Sequence, residues 1–122
     1  MASKSELAVR EFMKAAKVVL GSNRVFNSIQ RPLSGGDLEF PSLVFLIVGE
    51  GIVDTYGANH TDTTFIRYDL RADDPCELYD LDARLGHQLH LARLVVTDSG
   101  AIDSFEDALG VYRRIRTITV RV

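Results

Sequence analysis

The sequence predicts an α+β domain: a mostly antiparallel sheet with a long hairpin, flanked by an N-terminal helix and a second helix. Three observations predict it. Apolar residues recur at helical spacing in two separate stretches, one near the start and one after mid-chain. Strand-like stretches cluster between and after these helices instead of alternating with them one by one. The closing stretch, Val111–Val122, is rich in Val, Ile, Thr and Tyr and holds no Pro, Gly or acid. The 122 residues fit a single domain, 1–122, and 46% hydrophobic with 25% charged residues is a globular balance.

The elements follow in order. Ser3-Lys-Ser-Glu6 has the form of a capping box, so a helix is expected from Lys4 to Leu20. Val9, Phe12, Met13, Ala16, Val19 and Leu20 fall on its apolar side, Lys4, Arg10, Lys14 and Lys17 on its outer side, and Gly21 terminates it. Arg24–Ile29 reads as a short first strand, and Gln30–Phe40 as a loop marked by Pro32, Gly35 and Gly36. The run Ser42–Val48 lacks alternation, as expected of a strand covered on both faces. Gly49-Glu-Gly51 predicts a bulge or bend, with the strand continuing through Ile52 and Val53. Tyr56–Asp62 reads as a turn, and Thr63–Ala72 alternates as a return strand, with Ile66, Tyr68 and Leu70 on one face.

Asp74-Pro-Cys-Glu77 opens the second helix, with Asp74 as N-cap and Pro75 at the first helical position. Leu78, Leu81, Leu85, Leu89 and Ala92 form its apolar stripe. Gly86 interrupts it, which suggests a strand packed close by. Leu94–Thr97 is a further strand, and 99–110 an acidic connection anchored by Ile102 and Phe105. In the final strand Ile118, Val120 and Val122 share one parity and Val111 and Ile115 the other, which predicts a bulge near Arg116–Thr117.

Charge is the most informative pattern. Net charge is −3, which excludes a general polyanion binder. Arg113, Arg114, Arg116 and Arg121 nevertheless lie together, with no acid from residue 113 to the end. Asp98, Asp103, Glu106 and Asp107 lie together just before them. A basic strand presented on a surface beside an acidic loop suits head-to-tail pairing between copies, and two solvated faces are the bland alternative.

Motifs for chemistry are sparse. One cysteine, Cys76, excludes an internal disulfide and a multi-Cys zinc site and is compatible with a reducing compartment. Met1–Glu6 lacks the apolar core of a signal peptide, and the apolar run Leu43–Val48 is too short to cross a bilayer. His87 and His90 are three apart on the second helix, without a carboxylate at matching spacing, and read as surface residues; His60 reads as a turn residue. Tyr79, Asp80 and Asp82 follow a helix start, where the dipole favours acids. No Gly-x-x-x-x-Gly-Lys or Gly-x-Gly-x-x-Gly occurs. No catalytic, cofactor or metal residue is assigned.

The order of elements supports a resemblance. Pro41-Ser-Leu-Val-Phe-Leu-Ile-Val-Gly-Glu50 opens a hairpin that closes at Thr64–Leu70, a Leu-rich helix follows over Leu78–Leu91, and an acidic connection with Phe105 leads into Tyr112–Val122. This resembles the tail-terminator, or tail-completion, proteins of long-tailed bacteriophages, over 23–122 plus the N-terminal helix. The resemblance implies a non-enzymatic virion subunit of the tail–neck region, assembled in the host cytoplasm, that forms a ring, usually a hexamer. Such a ring caps the tail tube and joins it to the head-completion or connector protein. DNA passes its channel unread, and no membrane or cofactor is involved. Interface residues are then expected among Arg113, Arg114, Arg116, Arg121, Asp103, Glu106 and Asp107. The competing readings are a small ligand-binding or enzymatic α+β domain using His60, His87 or His90, a head-completion or neck protein of the same virion, and a nucleic-acid module using the C-terminal arginines.

Overall fold

The computed structural model describes residues 4–32, 36–55 and 59–121. Helix α1 (Lys4–Leu20) is followed by strands β1 (Val25–Asn27), β2 (Ser42–Thr55) and β3 (Asn59–Ala72). Helix α2 (Pro75–Leu91) and strands β4 (Val95–Glu106) and β5 (Val111–Arg121) complete the chain. The five strands form one sheet in the order β1-β2-β3-β5-β4. Among the described residues β1 and β2 run parallel and the other neighbours antiparallel. No helix among the described residues is long and apolar enough to cross a membrane.

Local chemistry explains both helices. Gly21 adopts a φ of +99°, which only glycine tolerates readily, and its N–H donates to the Lys17 carbonyl at 2.8 Å. The Asp74 carboxylate accepts from the Cys76 N–H at 3.2 Å, and Pro75 takes the first helical position, where its missing N–H costs nothing. Ser3 of the expected capping box and residues 56–58 of the expected turn lie outside the described residues, while 59–62, also expected in that turn with His60, are instead the start of β3 and pair with the end of β2.

Both helices bury their apolar stripes on one face of the sheet. Phe12, Ala16 and Val19 of α1 and Leu78, Leu81, Leu85 and Leu89 of α2 meet Leu43, Phe45, Ile66, Tyr68, Leu70, Ile118 and Val120. Phe12 stands edge-on to Phe45, with ring centroids 5.6 Å apart, and lies 5.7 Å from the Tyr68 ring. The alternation read in β3 therefore has a physical cause: its even residues face the helices and its odd residues face away.

Five further expectations are corrected. The β2 run is covered on one face only; on the other, Leu46 is 47% exposed. An unbroken apolar stretch thus did not mean two covers, because both helices sit on the same side. Residues 99–110 are mostly strand, since β4 pairs with β5 from Val95↔Arg121 to Glu106↔Val111, and Ile102 and Phe105 are exposed rather than anchored. The predicted bulge in β5 lies instead in β4, where the register shifts between Asp98 and Ala101, leaving β5 regular against β3. Nothing lies within 4 Å of where a Gly86 side chain would begin, so no strand packs there. Asp82 lies two turns into α2, not at its capped end, and makes the contacts described next. The bend expected at Gly49 does occur, as a register shift between Ile47 and Gly49.

Candidate assembly surface

The arginines of β5 alternate between the two faces of the sheet, and each face provides acids. On the helix side, Asp82 of α2 meets three partners. Tyr68 donates to it at 3.0 Å, Arg116 at 2.7 Å, and the Arg114 Nε lies 3.1 Å away. That Nε is not aligned for a hydrogen bond, so its attraction to Asp82 is coulombic. Strand β4 supplies the second partners: Asp98 for Arg116, and Asp103 for Arg114 at 3.7 Å. Tyr79 donates to Asp103 at 3.2 Å, and the Arg114 guanidinium lies 4.9 Å from the centre of the Tyr79 ring. Register places these groups together, because Arg114 pairs with Asp103 across the ladder and with Leu70 on β3.

On the open side of the sheet, Asp69 of β3 joins Arg113 at 2.6 Å and Arg71 at 3.1 Å. Arg71 continues to Gln30 at 3.1 Å, and Gln30 accepts from Ser42 at 2.9 Å and donates to the Glu39 carbonyl at 2.8 Å. Arg113 also reaches Glu106 at 3.5 Å. This chain of contacts ties the 28–41 connection, β2, β3, β5 and β4 together.

The electrostatics follow. The hydrogen bonds that Arg113 donates to Asp69, against some burial, raise the Arg113 pKa above its ordinary value. Burial works against the Arg116 charge, but the Asp82 hydrogen bond and the fields of Asp82, Tyr68 and Asp98 outweigh it, and its pKa is raised. Burial and the nearby Asp82 charge push the Tyr68 phenol well above its usual range.

The predicted interface residues therefore divide. Arg113, Arg114 and Arg116 are only 16–25% exposed at their side chains and are paired within the chain, so the basic strand is not a free cationic surface. Asp103 and Glu106 belong to the same intrachain pairs. Arg121 and the exposed Asp107 make no ion pair among the described residues. Sequence reasoning missed Asp82 and Asp69. A signal for Asp82 existed: it lies four residues after Leu78 and three before Leu85, on the stripe that faces the sheet.

Tyr68, Asp82, Gly86, Asp98 and Arg116 border a cleft of about 240 Å³. Its ionisable groups are engaged with one another, which makes it a tie between helix and sheet. His87 and His90 are exposed on α2, and His60 stands opposite Asp54 in the β2–β3 ladder, far along the hairpin from α2. Among the described residues no three His, Cys, Asp or Glu side chains gather as metal ligands do.

What the molecule does expose is apolar surface. On the open sheet face Val44, Asp69, Ile115 and Ile102 form a row across four strands, with Leu46 and Arg67 in the next row. Ile102 is 68% exposed. At the β4–β5 end Phe105 and Tyr112 pair edge to face at 4.9 Å, both partly in solvent. Such rings, beside Arg114 and Tyr79, have the make-up of protein-contact anchors.

Among the described residues the architecture is a two-layer α+β fold, with two helices on one face of a five-stranded sheet. No protein-family profile and no curated protein matches the chain. Among solved structures, a chain of the virion of the native gene transfer agent (GTA) particle superposes with a TM-score of 0.56. The two are 15% identical, and the match covers 95% of this chain and 92% of that one. At this identity the likeness is one of fold.

Proposed function

We propose that the chain is a structural virion protein of the tail-terminator type. In this reading its copies form a ring, a hexamer, that caps the tail tube and joins it to the head-completion or connector protein. DNA passes through the ring unread. The observation that carries the reading is the superposition on a virion chain over almost the full length of both proteins. The surface supports it: the uncovered sheet face and the exposed aromatic pair suit protein contacts, and the ionisable clusters are paired within the chain. No catalytic role is assigned to any residue.

The test is to assemble tail tubes with and without the purified chain and image their ends by negative stain. The expected result is a ring of uniform diameter at one end of each tube and a halt to further growth. Tubes that lengthen equally with the chain present, and a chain that stays monomeric beside them, would reject the reading.

A further inference from the structure

The pairing of Arg113, Arg114 and Arg116 within the chain leaves a different arginine for a neighbour. Arg67 of β3 stands on the open face of the sheet, opposite Leu46 on β2 and Thr117 on β5. It is exposed and makes no ion pair among the described residues. The carboxylates near it are already taken. Asp69, two residues along the same face, is held by Arg113 and Arg71, and Asp98, at the β4 bulge, by Arg116. Arg121 falls on the same face by alternation and also lacks an acid among the described residues.

Arg67 borders a hollow as well. With Gly100, Ala101, Ile102, Ile115 and Thr117 it lines an open space of about 340 Å³ across β3, β5 and β4. Ile102, on its wall, is 68% exposed. The β4 register shift between Asp98 and Ala101 falls at its edge, and nothing lies within 4 Å of where a Gly100 side chain would begin. Apolar walls with a free cation beside them suit a partner that brings a carboxylate between apolar side chains.

The chain itself carries such a partner. The turn Asp107–Gly110 joins β4 to β5 and is held by the Gly110 N–H donating to the Glu106 carbonyl at 2.8 Å. It presents Asp107, exposed and without an ion pair among the described residues, between two exposed apolar side chains, Phe105 and Leu109. The turn is already shaped, so little ordering is needed on docking.

We propose that the Asp107–Gly110 turn of one copy docks in the open-face hollow of the next, with Asp107 against Arg67. The proposal rests on the ring reading above and names its contact. The two patches are different surfaces of the chain, so the contact is heterologous, and repeating it closes a ring when the rotation per copy permits.

Complementary charge reversal tests it. Arg67→Glu and Asp107→Lys each set like charges against one another, and each weakens self-association by about ten-fold or more in sedimentation velocity. An equal mixture of the two variants restores assembly, because alternating copies then meet with opposite charges at every contact. The double variant R67E/D107K restores it as well. Both side chains are exposed, and circular dichroism checks that the variants fold. A covalent test is independent of charge. In a Cys76→Ser background, Ile102→Cys and Leu109→Cys together yield a ladder of intermolecular disulfides under mild oxidation. Single variants that associate as the wild type does, with no ladder, overturn the contact, leave the hollow to another partner and leave the ring reading intact. Weakening without rescue in the mixture overturns it too. A wild-type chain that stays monomeric at its highest soluble concentration overturns the contact as well, and the tube-end assay then judges the ring reading separately.

Discussion

Asp82 gives the sharpest test of how this fold is held together. Its side chain is 12% exposed and takes Tyr68, Arg114 and Arg116 at 3.0, 3.1 and 2.7 Å. Removing one partner from a buried ion pair costs about 3–5 kcal/mol, because the remaining charge stays desolvated and unpaired. Here Arg116 keeps Asp98 and Arg114 keeps Asp103, both on the more exposed β4. That residual pairing lowers the expected cost of Asp82→Ala to about 2–3 kcal/mol. For a chain of 122 residues this corresponds to a drop of about 10 °C in Tm. Urea unfolding followed by circular dichroism measures it, with the midpoint falling and the slope unchanged. Asp82→Asn keeps the shape and one acceptor and loses about 1–2 kcal/mol. Asp80→Ala is the control, since Asp80 is largely exposed and its pair with Arg84 spans 3.9 Å; it stays within about 0.5 kcal/mol. An Asp82→Ala protein as stable as the Asp80→Ala control would refute the reasoning that this carboxylate ties α2 to β5.

Three further outcomes are expected. Gly86→Ala stabilises the protein by about 0.5–1 kcal/mol, because a methyl group there meets open space within α2; a lower urea midpoint would contradict the open geometry. Phe12→Ala costs about 3–5 kcal/mol, since the ring is fully buried against Phe45 and Tyr68; a loss below about 1 kcal/mol by the same titration would mean that α1 is not seated on the sheet. At alkaline pH the Tyr68 phenol, raised in the folded state from its ordinary 10.0, contributes stability that is full below that value. The contribution is lost as pH climbs above 10.0 towards the folded value, so the unfolding midpoint falls there and Tyr68→Phe flattens the fall; ultraviolet tyrosinate absorption for all four tyrosines before any unfolding would contradict the burial.

Much of the fold was legible because its signals are local. Gly21 ends α1, Asp74-Pro75 opens α2, and the alternation of Ile66, Tyr68 and Leu70 marks β3 and its buried face. The errors came where the deciding term is not local. Residues 99–110 carry Asp, Ser and Gly, which read as a connection, yet pairing with the strongly β-forming β5 draws them into the sheet. The parity break in β5 was read as its own bulge, but the extra residue sits on its partner β4. The candidate surface was half legible. The acidic and basic clusters were visible as blocks, but a count of charges along the chain says nothing of which acid lies across the ladder from which arginine.

The sequence by itself determined the helices, the hairpin and the face of β3 that is buried, because capping, turn chemistry and side-chain periodicity act within a few residues. Only the tertiary structure decided that both helices cover one face of the sheet, and that Asp69 and Asp82 pair with Arg113, Arg114 and Arg116 of β5. The reason is electrostatic as much as geometric. Opposite charges brought within about 3 Å in a half-buried site attract far more strongly than they do along an open chain in water. Arg113, Arg114 and Arg116 therefore bind the chain to itself, while Asp107, Lys17 and Arg121 make no ion pair among the described residues.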